Sequence, residues 1–291
     1  MSSLTYSQAH LRRRKLTNAT MTALVWLCFA LAMLPLVGVV GYTIKHGLKR
    51  FDMEFFTHSM NGVGPLDHNG GAYHALIGTV EQVGIAIILT VPVGILAAIY
   101  LVEYGRGWLA SSIRFFVDVM TGIPSIVAGL FVLAFWVLGL HQGYSGFAAA
   151  LALSVLMLPT VVRSSEEMLR LVPLALREGA YALGVPRWKT ILRVVLPTAL
   201  PGVVTGVMLG VARIMGETAP VLLTAFGADF IVNDPFSGPQ QSLSLYVFSQ
   251  ARKTGGGYVD RAWTAALTLV LFVLLLNILA RLVTRRNRRT R

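Results

Sequence analysis

Apolar residues along this chain gather into long runs separated by short breaks rich in polar residues, glycine and proline. A helix must hold about 20 such residues to cross roughly 30 Å of hydrocarbon. Six runs are long enough, near 21–44, 76–101, 114–140, 144–163, 194–226 and 262–283. The pattern predicts an all-α integral membrane protein of six transmembrane helices with both termini on one side. The fifth run is too long for a single span and carries Pro197 and Pro201 at its start, so its first residues are expected to belong to the preceding loop. The first run follows Arg12-Arg13-Arg14-Lys15 and contains Ala30-Leu31-Ala32, which resembles a signal-peptide cleavage site. It continues to Val40, longer than a signal core, and is read as an uncleaved helix.

Composition agrees: 55% of residues are hydrophobic and 13% charged, and the mean hydropathy is +0.67, outside the range of soluble domains. The formal charge of +12 raises the question of nucleic acid, and the placement of the charges answers it. Of the 25 lysines and arginines, 18 fall in the two tails and in the second and fourth loops. The positive-inside rule puts that side in the cytoplasm. The charge is therefore read as a topology signal, with the lipid bilayer as solvent and no role in nucleic-acid binding. A single cysteine, Cys28, excludes an intrachain disulfide.

The two long outer loops, about 45–75 and 227–261, are rich in turn formers. They either cap the bundle or receive a soluble partner. His58, Asp67, His68 and His74 lie in the first of them without metal-ligand spacing, and no metal is expected.

The fourth loop carries the densest pattern. Pro173 suits the start of a short helix, Gly184 the left-handed cap that ends it, and Pro186 the start of a second. Small residues at Gly179, Ala180, Ala182 and Gly184 allow a partner's backbone to approach, while Glu178, Arg187 and Lys189 offer charges that fix register. The other reading is an amphipathic hairpin resting on anionic lipid. Glu178, Ala180, Gly184, Leu196 and Pro197 match the E-A-A-x3-G-x9-I-x-L-P loop of ATP-driven import permeases, with Gly179 in place of alanine and Val194 in place of isoleucine. The chain thus resembles the transmembrane subunit of a type I ABC importer. That resemblance implies a permease domain over 72–283 with its coupling loop at 164–195. A basic tail (1–20), a first helix (21–44) and an outer loop (45–71) precede it, and a basic tail (284–291) follows.

No G-x4-G-K-[ST] phosphate loop occurs; Gly184 to Thr190 ends in Lys-Thr but lacks the glycine before lysine. The chain is accordingly read as a non-enzyme that binds no cofactor, ATP and Mg being used by a separate ATPase.

Ionisable groups inside membrane helices are expensive and mark function. The candidates are Glu81, Asp118, Arg213 and Glu217. Glu81 and Asp118 lie near helix ends, within reach of an interface. Arg213 lies well inside the fifth run, where insertion costs about 2.5–3.5 kcal/mol, and Glu217 follows one turn later. They form either a packing ion pair or an anion site in which Glu217 holds and releases Arg213. A guanidinium stays charged and gives an oxyanion two parallel hydrogen bonds.

Ala212-Arg213-Ile214-Met215-Gly216-Glu217-Thr218-Ala219-Pro220 is similar to the A-R-x-x-G-E-T-A-P segment of phosphate-specific transport permeases, and Gly122-Ile123-Pro124-Ser125 to their G-x-P-S segment. Gly122 and Pro124 loosen the third helix and Ser125 meets freed backbone groups, as at a cavity wall; close packing through small residues is the alternative. The resemblance implies a substrate pathway at Arg213, Glu217, Thr218 and Ser125, with phosphate as cargo. It also implies a PstC-like second permease, two PstB-like ATPase subunits and a PstS-like outer phosphate-binding protein. Sulfate or molybdate remains open as cargo on physical grounds alone. Gly143-Tyr144-Ser145-Gly146 fits the G-x-S-G of rhomboid-type intramembrane proteases, but none of the six histidines lies in a later helix where a base would sit.

Overall fold

The computed structural model describes residues 8–64, 67 and 69–289. The described residues are almost entirely helical, in twelve α-helices with short 3-10 and π turns between some of them. The long ones are α1 (Gln8–Gly47), α3 (Tyr73–Ile99), α6 (Gly146–Arg170), α9 (Leu196–Met215) and α12 (Gly256–Arg289). Between them lie α2 (Met53–Thr57), α4 (Trp108–Gly122), α5 (Ser125–Val132), α7 (Leu174–Ala182), α8 (Arg187–Thr190), α10 (Ala219–Thr224) and α11 (Leu243–Arg252).

Helix α6 is the centre of the bundle and packs on α3, α4, α5, α9 and α10. Lipid tails are as apolar as leucine, so close packing rather than hydrophobic burial holds such helices together. The sequence meets this with small residues. Ala148, Ala149, Ala150 and Ala152 on α6 are fully buried, and Gly94 of α3 sits so close that a Cβ would lie 2.7 Å from Val161. The main apolar core joins Val83 and Ala86 of α3 with Leu153, Leu156 and Met157 of α6 and Ile214 of α9.

The third apolar run is not one straight helix. Helix α4 ends at Gly122, α5 begins at Ser125, and the two are bent by 106°. Proline disfavours helical geometry in the residue before it. Ile123 is accordingly extended, with φ −71° and ψ 126°. Near its start α4 reaches the end of α6 through Arg114 and Glu166, 3.1 Å apart. Beyond α5, Trp136 meets Phe147 at the start of α6, with ring centroids 5.3 Å apart. The bent pair therefore runs the length of α6 and counts as one broken span, the sixth.

Helix α6 itself continues to Arg170, past the end of its apolar run, because Glu166 closes on both Arg114 and Arg170, the latter at 2.6 Å. Residues 164–170, assigned above to the inner loop, are its last turns. The excess length of the fifth run is also resolved differently from expectation. A π turn over Ile191–Val195 carries the helix unbroken from α8 into α9, with Pro197 just after it, where the wider turn accommodates a proline that breaks the regular hydrogen-bond ladder. The break falls instead at Gly216–Thr218, between α9 and α10.

Helix α1 stands apart. It is helical from Gln8, since no glycine or proline interrupts 8–34, and its most apolar window is not buried at all in this chain. It meets the bundle at its far end, where Gly47 rests on Trp263 and Leu267 of α12 and Lys49 pairs with Asp260 at 3.0 Å.

Candidate functional site

Two regions hold the predicted site residues. The first is the break after α9. Gly216 donates to the Arg213 carbonyl at 3.1 Å and Glu217 to the Ile214 carbonyl at 3.2 Å, so the helix closes with a tight turn. Arg213 Nε stands 3.7 Å from Glu217 Oε1. That is an ion pair without a hydrogen bond. Arg213 is 48% exposed and Glu217 18%. Arg213, placed by the sequence well inside the fifth run, lies in the last turn of α9 and is half-open on the surface of this chain. Thr218 occupies the N-cap position of α10, and its carbonyl accepts from Leu222.

Ser125 is the first residue of α5 and is partly buried. Its helix packs on α10: a Cβ on Gly129 would lie 2.7 Å from the Cα of Pro220. The two motif segments are therefore brought together through α5 and α10, with Gly129 as the point of closest approach.

Around the break lies a buried polar network that charge alone did not reveal. Ser244 of α11 donates to the Glu217 carbonyl at 2.8 Å. The strand-like strap leading into α11 is bolted to α3: Leu243 N–H donates to Thr79 Oγ1 at 2.7 Å, Gln82 donates to Gln240 Oε1 at 3.0 Å, and Gln240 donates to Glu81. Gly78 and Gly146 make room for it, since a Cβ on either would stand 2.0 Å from an oxygen of Gln241 or Gln240. Gln82 and Gln240 were overlooked because they are uncharged. Their signal was an amide in an apolar run and a Gln-Gln-Ser cluster ending a polar loop. Asp118, by contrast, pairs with Arg163 of α6.

The second region is α7, its turn and α8. Gly184 has φ +73°, and it donates to the Tyr181 carbonyl at 2.9 Å while Val185 donates to the Ala180 carbonyl at 3.1 Å. This is the paired bonding of a glycine-capped helix end. Glu178 and Gly179 are exposed and Ala180 is buried. A Cβ on Gly179 would meet nothing within 4 Å. Leu171, Leu174, Leu183 and Trp188 add exposed apolar surface.

Arg187 turns inward, donating to the Glu103 carbonyl and lying 4.7 Å over the Tyr104 ring. Arg177 pairs with the buried Glu103 carboxylate and donates to the Leu169 carbonyl at 2.7 Å. The loop is thereby fastened to the π turn that follows α3 and to the end of α6. Glu103 was not singled out in the sequence, although an acid closing an apolar helix beside a basic loop was the signal.

Ser145 is the N-cap of α6, its hydroxyl accepting from Ala148 N–H at 3.1 Å. Among the described residues the outer-loop metal candidates form no ligand cluster. His58 bonds Thr57 at 2.9 Å, Asp67 accepts from Gly64 at 2.7 Å, His74 is buried against Tyr246, and His68 lies outside the described residues.

Six spans, built on a central small-residue helix and carrying a fastened loop between the fourth and fifth, define a multi-pass permease subunit of the type I ABC importer fold. Residues 90–289 match the model of the binding-protein-dependent transport system inner membrane component, and the chain belongs to that family. It is 46% identical over 281 residues to phosphate transport system permease protein PstA 1 of Mycobacterium tuberculosis, covering 95% of this chain and 91% of that one. It is 44% identical to PstA of Mycobacterium leprae, with 91% and 88% covered, and 38% identical to PstA of Pasteurella multocida, with 95% and 97% covered. Among solved structures, a bacterial alginate ABC transporter in complex with its pentasaccharide-bound periplasmic protein superposes with a TM-score of 0.64 at 16% identity over 96% of both chains. The inward-facing MetNI methionine ABC transporter gives 0.58 at 22% identity over 75% of this chain and 94% of that one. These two speak for the fold alone.

Proposed function

We propose that this chain is the transmembrane permease subunit that moves inorganic phosphate inward across the plasma membrane, driven by ATP hydrolysis on a separate ATPase chain. The observation that carries this reading is the loosely held Arg213–Glu217 pair at the break between α9 and α10, with Arg213 half-open and Glu217 tied to the outer strap through Ser244. Arg213 receives the oxyanion as it exchanges Glu217 for two parallel hydrogen bonds to phosphate. Thr218 and Ser125 stand in the same pathway. Glu217, left unpaired while phosphate is bound, recloses on Arg213 behind it and limits leakage of small ions.

Glu178, Gly179, Ala180 and Gly184 present the surface that seats the ATPase. Arg187, together with Arg177, transmits its movement through Glu103 to α3. This chain makes no phosphate loop of its own and carries no catalytic site. Both termini are cytoplasmic. Its partners are a PstC-like permease, two PstB-like ATPases and a PstS-like binding protein outside. What supports phosphate over other oxyanions is the 38–46% identity to PstA permeases across nearly the whole chain.

The test is ATP-driven uptake of labelled phosphate by the reconstituted complex in the presence of excess sulfate or molybdate. Uptake undiminished by either ion is expected, and equal competition by one of them overturns the cargo assignment.

A further inference from the structure

A second cationic cleft opens on the outer side of the chain, above the break. It holds about 430 Å³ and lies between the turn that follows α10 and the outward face of α11. Phe226 and Gly227, both at positive φ (63° and 82°), fold that turn over Gln241 and form one wall. Arg252, Lys253 and Ser249 line the other, with Asp229 facing them.

The charges in this cleft are arranged like those at the break. Lys253 Nζ stands 3.3 Å from Asp229 Oδ2, with side chains 37% and 48% exposed. A pair this open to water contributes little stability, so an incoming oxyanion displaces Asp229 at small cost. Arg252 stacks on Phe248 at 5.1 Å and makes no ion pair among the described residues. Its guanidinium donors are therefore available. Two cations against one carboxylate leave the cleft a net cation.

Its floor leads to the break. Leu222 and Leu245 line the cleft. Leu222 N–H bonds the Thr218 carbonyl at 2.9 Å, and Ser244, next to Leu245, bonds the Glu217 carbonyl at 2.8 Å. The cleft thus ends one helical turn from Thr218 along α10 and one residue from the Ser244–Glu217 bond on α11.

We propose that this cleft is an outer receiving site for the phosphate oxyanion, in which Arg252 and Lys253 take the anion and Asp229 is the latch it displaces before it passes to Arg213. The inference rests on the phosphate-permease reading above.

The test is ATP-driven uptake of labelled inorganic phosphate by the full reconstituted complex, as a function of the concentration of loaded binding protein. Lys253→Gln is expected to lower the maximal rate several-fold and Arg252→Gln to lower it further, with the half-saturating concentration of binding protein unchanged. Asp229→Asn, which frees Lys253, is expected to move the maximal rate the opposite way. A common fall in Lys253→Gln and Asp229→Asn would mean a structural ion pair and overturns the proposal. So does a change confined to the half-saturating concentration, which would mean protein docking, or no change in any variant. Failure of the phosphate reading itself shows separately, as absence of phosphate uptake by the unaltered complex.

Discussion

Glu103 and Arg177 form a buried ion pair that joins the inner end of α3 to the loop between α6 and α8. Their side chains are 3% and 12% exposed. Arg187 adds a bond to the Glu103 backbone, so one residue of the π turn that continues α3 (Tyr100–Tyr104) holds both α7 and α8. If α7 seats the ATPase as proposed, a movement imposed on it would pass through Glu103 to α3, the helix whose opposite end is bolted to the strap beside Glu217.

Breaking this pair strands a buried cation, which costs about 3–5 kcal/mol. Glu103→Gln is expected to lower the thermal stability of the complex. It also raises the ATP consumed per phosphate moved. The ratio of hydrolysis to uptake in proteoliposomes checks it; an unchanged ratio would mean that the loop is coupled to the bundle by other contacts.

Glycine positions give a paired prediction. Gly78→Ala would place a methyl group 2.0 Å from the Gln241 carbonyl, and the strap must shift; overpacking of this kind costs about 1–3 kcal/mol. Gly179→Ala meets no atom of this chain and should leave the melting temperature of the permease unaltered when the ATPase is absent. Thermal unfolding of the two variants side by side decides this.

The contrast shows what the sequence could and could not reveal. Span number and the Gly184 cap were legible, because hydrophobic run length and turn chemistry are local properties. The break between α4 and α5 was half legible. Pro124 announced a loosened helix, but a bend of 106° depends on α5 finding α10 through Gly129. The pairings of Glu103 with Arg177 and of Gln82 with Gln240 join residues 74 and 158 positions apart, and no periodicity carries that information. Arg187 illustrates the same point: it sits in the docking motif, yet its guanidinium is used inside the chain.

Glu178 is exposed on α7 and makes no ion pair among the described residues. Glu178→Lys reverses a charge on the docking surface without disturbing the fold. The ATPase is expected to dissociate during purification, or to remain bound with hydrolysis no longer linked to uptake. Co-purification combined with an ATPase assay tests this. A complex that stays assembled and fully coupled would place the docking surface elsewhere.

The central claim concerns Arg213, and the most direct measurement is ATP-driven phosphate uptake by the reconstituted complex carrying Arg213→Ala. Losing a charge-assisted hydrogen bond of about 1.5–3 kcal/mol corresponds to a fall of at least about tenfold in rate. The account predicts that fall with assembly intact and ATP hydrolysis retained. Uptake at the unaltered rate by an assembled Arg213→Ala complex would contradict it.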